Sequence, residues 1–147
     1  MNILNFLKNI ETDFNGRFIE DIWNYSSNEI EYNHDFIQLL FPLDKPSESV
    51  FHGVYLKSKN EINKIKNDDL AKLNIIKSSK WFLIFLKNTS LWKNKYDHNH
   101  LRISRVIQSL RLLVSEAEAD NFYNKVLLLV GQKNKINSTT KKFWEKS

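Results

Sequence analysis

The sequence predicts an all-α fold, a single compact bundle of seven or eight helices spanning residues 1–147. Three observations carry that prediction. The chain has only three glycines and two prolines in 147 residues, too few for the closely spaced turns that a sandwich or barrel of short strands requires. Three Ser-x-x-Glu patterns (Ser26 with Glu29, Ser58 with Glu61, Ser115 with Glu118) have the spacing at which a serine caps a helix and a glutamate returns the bond. Apolar residues recur three and four apart along most of the chain, the period of a half-buried helix.

Taken in order, Asn2 to Ile10 places Leu4, Leu7 and Ile10 three apart and predicts a short amphipathic helix. A turn through Asp13 to Gly16 leads to Phe18–Trp23, with Phe18, Ile19, Ile22 and Trp23 on one face. Ser26 opens a helix predicted to run to Phe41. Ile30, His34, Ile37 and Phe41 share its stripe, and Pro42 stops it, because proline disfavours helical geometry in the residue before it. Leu43 to Leu56 is the longest expected loop. Ser58 opens a polar helix with Ile62 and Ile65 inward.

Asn67 or Asp68 is expected to cap a longer helix to about Asn88, buried through Leu70, Leu73, Ile76, Leu83, Ile84 and Leu86. Its run Trp81 to Leu86 also fits a buried strand by periodicity, but a lone strand has no partner, so helix is the expectation. Asp97 or Asn99 caps Leu101 to Leu113, with Ile103, Val106, Ile107, Leu110 and Leu113 inward. The Ser115 helix ends at Gly131, and Ser138 caps a last helix with Phe143 and Trp144.

There is no cysteine, which removes disulfides, thiolate metal sites and a thiol nucleophile, and fits a reducing compartment. Met1 to Ile10 lacks the basic segment and apolar run of a secretory signal, and the longest apolar runs are too short to span a bilayer. The expected location is therefore cytoplasmic. The formal charge of +5 is uneven. Residues 1–50 carry three bases against nine acids, a net of −6, and residues 51–147 carry nineteen against eight, a net of +11. A basic half attracts anionic partners. It is also what a lysine- and asparagine-rich composition gives as solvated surface.

Two constellations stand out. In Asn28 to Pro42, His34 sits beside Asp35, with Gln38 three residues on. A histidine near an acid suits a general base, and equally a hydrogen-bonded packing residue. In His98-Asn-His-Leu-Arg-Ile-Ser-Arg105, a predicted helix start offers outward amides. His98, Asn99, Arg102 and Arg105 would add donors for a phosphate or carboxylate. The alternative is that Arg102 or Arg105 pairs with acids of the Glu29–Asp35 segment.

No metal site is expected, because helical residues two apart, such as His98 and His100, diverge and no further ligand spacing completes a pattern. No cofactor motif, phosphate loop or nucleophile elbow is present, and no catalytic residue is assigned. Trp81, Trp92 and Trp144 read as core or interface anchors rather than platforms for bases.

These stretches carry a resemblance. Phe18-Ile-Glu-Asp-Ile-Trp23, Glu31-Tyr-Asn-His-Asp-Phe-Ile-Gln38 with Leu40-Phe-Pro-Leu43, His98 to Arg105 with Gln108-Ser-Leu110, and Thr140 to Trp144 are together similar to the opioid growth factor receptor conserved region. The order is kept over nearly the whole chain, as in a small, stand-alone, bacterial-type member. Animal members are described as binding a short opioid peptide and carry long C-terminal extensions. Leu39 stands where the family usually has a tryptophan before Leu-Phe-Pro. The matching polar positions are Glu31, His34, Asp35, Gln38, His98, Asn99, Arg102, Arg105 and Ser109, and the resemblance implies that they converge, with His34 in reach of Arg102 or Arg105.

The functional expectation is a non-catalytic binding domain for a small anion or a peptide. In it Arg102 and Arg105 pair with the anion, His98 and Asn99 donate, and Asp35 orients an arginine. A nucleic-acid role for the basic half ranks second. An enzyme using His34 with Asp35 and a protein-partner role anchored by aromatics such as Trp92 are the remaining alternatives.

Overall fold

The computed structural model describes residues 1–47 and 53–147. Among these it contains nine α-helices and one 3-10 turn, and no strand. The chain divides into two compact units, Met1–Ser78 and Ser79–Ser147.

The first unit holds α1 (Ile3–Leu7), α2 (Ile19–Trp23), α3 (Ser27–Tyr32), α4 (Ile37–Leu40), α5 (Lys59–Lys66) and the first ten residues of α6 (Asp69–Lys87). Side chains cap four of the six starts, those of α1, α3, α5 and α6. Asn2 accepts the Asn5 amide, and Ser26 accepts that of Glu29 while the Glu29 carboxylate takes the Ser26 N–H, completing the expected box. Ser58 accepts the Glu61 amide, but Glu61 turns to the Lys57 N–H instead. Asp68 caps α6 by accepting the Ala71 N–H at 2.8 Å. Helix α1 packs on α4 and α5 around Phe6, Leu7, Leu40 and Ile65, all buried.

Two expectations are corrected here. The helix predicted from Ser26 to Phe41 is two helices, which is why nine are found rather than eight. Asn33 ends α3 in extended geometry, its side chain bonding to the Glu29 carbonyl. Asn, His and Asp in succession at 33–35 favour such local bonds over helix. Ile30, Ile37 and Phe41 are buried as expected, but His34 lies between the helices and is exposed. At the other end of the unit, α1 stops at Leu7 and leaves Ile10 exposed. Of the Leu43–Leu56 loop, residues 48–52 lie outside the described residues. On its flanks the Leu56 N–H donates to the Leu43 carbonyl at 2.9 Å.

The buried face of α6 is rotated from the one expected. Leu70, Leu73 and Ile84 are 43%, 59% and 62% exposed, while Ala71, Asn74, Ile75, Ser78, Ser79, Phe82 and Phe85 face inward. Polar residues on that stripe hide it from periodicity. Asn74 donates to the Leu7 carbonyl at 2.7 Å, and Ser78 accepts the Trp23 indole N–H at 2.9 Å. Trp81 to Leu86 is helical, as expected.

The second unit continues α6 from Ser79 and adds a 3-10 turn (Leu91–Lys93), α7 (Asn99–Leu113), α8 (Glu116–Val130) and α9 (Ser138–Lys146). All five apolar positions expected inward on α7 are buried, and α7 packs on both α8 and α9. Ser115 caps α8, which ends at Gly131 with the positive φ of 66° that glycine tolerates. The last cap is Asn137, not Ser138: its carboxamide accepts the Thr139 and Thr140 amides. Trp92 is fully buried, its indole N–H donating to the Leu86 and Thr89 carbonyls at the end of α6. It is therefore a core residue and not an exposed anchor for a partner. Trp144 is also buried, donating to the His100 carbonyl, and Trp81 is half-buried.

Candidate functional site

In the first unit the polar centre is built on Arg17, the sole arginine among the first 101 residues. Asp13 starts a tight loop whose carboxylate accepts the Asn15 and Arg17 amides at 2.8 and 3.0 Å, and Gly16 supplies the positive φ of 77° that closes it. The loop aims the Arg17 guanidinium at four partners. Its Nε donates to Asp13 at 2.7 Å, its Nη1 to the Tyr25 hydroxyl and to the Asp35 carboxylate at 2.9 Å each, and its Nη2 to the Asp35 carbonyl at 3.0 Å. Burial acts to lower the guanidinium pKa. The hydrogen bonds to Tyr25, Asp35 and Asp13, with the Asp13 charge, outweigh it and hold the pKa above the ordinary arginine value.

Asp35 is held by Arg17, an arginine outside the set named from the sequence. Asn15 adds a second bond to the same carboxylate at 3.1 Å. Gln38 lies on α4, buried, and donates to the His34 carbonyl at 3.3 Å. His34 lies between α3 and α4 and is exposed. Sequence reasoning passed over Arg17. The available signal was the Asp13-x-x-Gly16-Arg17 turn, with one arginine among nine acids in residues 1–50.

A groove of about 580 Å³ opens elsewhere in this unit, lined in part by Ile3, Phe14, Tyr55, Lys57, Glu61 and Lys64. None of the candidate binding residues, His34, Asp35, Gln38, His98, Asn99, Arg102 and Arg105, is among its described lining residues.

In the second unit, the start of α7 is already served by an internal anion. The Asp97 carboxylate accepts the Asn99 amide at 2.8 Å, and the Asp97 carbonyl accepts that of His100 at 3.1 Å. A carboxylate there is favoured by the helix dipole. Asn99 and Arg102 are buried and bonded to each other, Nη1 to Oδ1 at 3.2 Å. His100 is buried too, its Nε2 on the Trp92 carbonyl and its ring edge-on to Trp144. Ser109 is fully buried.

Two polar members of the motif remain within reach of solvent. His98 is exposed, and Arg105 is partly so. Burial pushes the Arg105 guanidinium down to about 10, a desolvated cation. Arg111, also on α7, holds the first turn of α8 through Glu116 and through Asp120 at 3.1 Å, and donates to the Ser147 carbonyl at 2.7 Å. Burial opposes its charge, but those two carboxylates raise its pKa overall. Among the described residues, no helix is long and apolar enough to cross a membrane.

Comparison with known proteins bears on this arrangement. The family model for the opioid growth factor receptor (OGFr) conserved region matches residues 1–90. That range holds the Arg17 cluster and the His34–Gln38 segment and ends before the His98–Arg105 motif. The opioid growth factor receptor of Mus musculus is 32% identical over 130 residues, covering 73% of this chain and 20% of that protein. The receptor of Rattus norvegicus is 31% identical over 130 residues, covering 73% and 22%. The chain thus spans about a fifth of the length of these relatives. No solved structure matches. On the family match over residues 1–90, the chain belongs to the opioid growth factor receptor conserved-region family.

Proposed function

We propose that this protein is a non-catalytic binding domain whose second unit takes an anionic ligand, either a small anion or an acidic peptide. The observation that carries the proposal is charge. Residues 79–147 hold thirteen bases against five acids, a net of +8 in one compact unit. Three of those acids are committed within the unit: Glu116 and Asp120 to Arg111, and Asp97 to the α7 amides. The remaining positive field favours anions and speeds their encounter.

Within the motif, exposure divides the roles. His98, which is exposed, and Arg105, which is partly exposed, reach the ligand as donors. Asn99 and Arg102 form the buried support beneath them. In the first unit, Asp35 and Gln38 hold the bend between α3 and α4 with Arg17, and the exposed His34 is the ligand-facing group.

The test is a thermal-shift and calorimetric titration with phosphate, acidic peptides and oligonucleotides at low and high salt. A peptide or small anion should bind the wild type and lose about tenfold or more in affinity in Arg105→Ala, with circular dichroism unchanged. Tightest binding to oligonucleotides, falling steeply with salt, would favour the nucleic-acid role instead. Absence of binding by every anionic probe sinks the proposal.

A further inference from the structure

Deepening that reading, we propose that the anionic partner is an acidic, leucine-bearing peptide segment. Its docking surface is one pole of the second unit, formed by residues 87–101 and 128–137.

Four observations place the pole. The Lys135 N–H donates to the Lys93 carbonyl at 2.9 Å, which ties the loop before α7 to the loop after α8. Buried Trp92 fixes the first loop through the Leu86 and Thr89 carbonyls, and Asn134 fixes the second by donating to the Gly131 carbonyl at 2.9 Å. Only Val114 and Ser115 separate α7 from α8, and the two helices pack on each other. They therefore run antiparallel, and the first turn of α7 lies at the same end as the last turn of α8.

Five lysines gather there: Lys87, Lys93, Lys95, Lys133 and Lys135. The nearest acid in sequence is Asp97, whose carboxylate is engaged with the α7 backbone. Glu116, Glu118 and Asp120 sit in the first turns of α8, at the other end of the hairpin. Among the lysines stand large apolar side chains in water: Leu91 at 60% exposure, Tyr96 at 73%, Leu101 at 71% and Leu128 at 82%. They come from both loops' flanks and both helices, on a frame whose backbone is hydrogen-bonded in place. Exposed apolar groups clustered within one charge sign mark an interaction site rather than solvated surface.

The mixture selects the partner. A phosphate backbone would satisfy the lysines but leave three leucines against charge. A lipid surface is usually met by one amphipathic helix with a continuous apolar face, and here the apolar groups are divided among loop and helix ends. A peptide alternating carboxylates with aliphatic side chains meets both features, its acids on the lysines and its leucines on Leu91, Tyr96, Leu101 and Leu128.

The experiment is fluorescence anisotropy on the full chain with a labelled synthetic peptide of alternating Glu and Leu. An alternating Glu and Ser peptide, a thymidine oligonucleotide and phosphatidylserine vesicles serve as competing probes. The Glu–Leu peptide should bind best, at least about tenfold tighter than the Glu–Ser peptide. The triple change Lys95→Ala, Lys133→Ala, Lys135→Ala should weaken it about tenfold or more, and so should Leu91→Ser with Tyr96→Ser. All five positions are exposed, so the fold is retained. Lys59→Ala, Lys64→Ala, Lys66→Ala removes equal charge from α5 and should leave affinity within about twofold. Equal losses in both triple variants, or preference for the oligonucleotide or vesicles, would overturn the pole. If the pole variants bind like wild type while Arg105→Ala does not, the pole fails and the anionic-ligand reading stands. If no anionic probe binds at all, both fail.

Discussion

Arg17 donates to the Asp35 carboxylate at 2.9 Å and to the Asp35 carbonyl at 3.0 Å, so a residue ahead of α2 fixes the bend between α3 and α4. The same guanidinium holds Asp13, whose side chain is 1% exposed. Removing Arg17 strands a buried carboxylate, and Arg17→Ala should cost about 3 kcal/mol of unfolding free energy in urea titrations. Arg17→Lys should recover less than half of it, because an ammonium cannot reproduce the forked contacts. A loss under about 0.5 kcal/mol would show that the cluster does not organise this unit.

Asp68 caps α6 and lies 3.2 Å from Lys8. The Ala71 amide lowers its pKa below the ordinary value, burial works against that shift, and Lys8 reinforces it. An acid with a depressed folded pKa contributes stability in full above its unfolded value of 3.8 and loses it as pH falls through the lower folded value. The wild type should lose stability more steeply than Asp68→Asn as pH drops from about 5 toward 2. At neutral pH the substitution should cost about 1 kcal/mol or less, since asparagine also caps. Parallel pH profiles for the two proteins would contradict this.

Asn74 and Ser78 lie on the buried face of α6 for the bonds they make, to the Leu7 carbonyl and the Trp23 indole. Asn74→Ala should destabilise by about 2 kcal/mol and Ser78→Ala by about 1 kcal/mol, each leaving a polar group behind without its partner. Trp23→Phe combined with Ser78→Ala should cost less than the sum of the single changes, which a double-mutant cycle would measure.

Arg105 separates the binding reading from a purely structural one. Burial lowers the pKa of its guanidinium to about 10. Arg105→Met should weaken the anion binding proposed above by about tenfold or more in the same titrations, with circular dichroism unchanged. A strongly destabilised Arg105→Met protein would mark the residue as structural.

Much of this architecture was legible in the chain. Scarce glycine and proline gave helices, and the Ser26, Ser58 and Ser115 caps stand where their spacing put them, because capping is a contact between residues three apart. The inward positions of α7 followed from period alone. The α3–α4 break was not legible, since Ile30, Ile37 and Phe41 keep a helical rhythm across it while Asn33 and Asp35 bond elsewhere. The buried face of α6 was not legible for a related reason: apolar residues surround that helix, and the face that is buried carries Asn74 and Ser78.

The sequence by itself determined the helical class, most helix starts, the family resemblance and the uneven charge. Each of these depends on residue type and local spacing, which folding leaves unchanged. Tertiary structure decided which polar residues are buried or bonded within the chain and which face water. Asp35 turned to Arg17 eighteen residues away, Asn99 and Arg102 went under cover together, and His34, His98 and part of Arg105 stayed in water. Those outcomes depend on partners distant in the chain and on the desolvation that packing imposes, and neither is encoded at any single position.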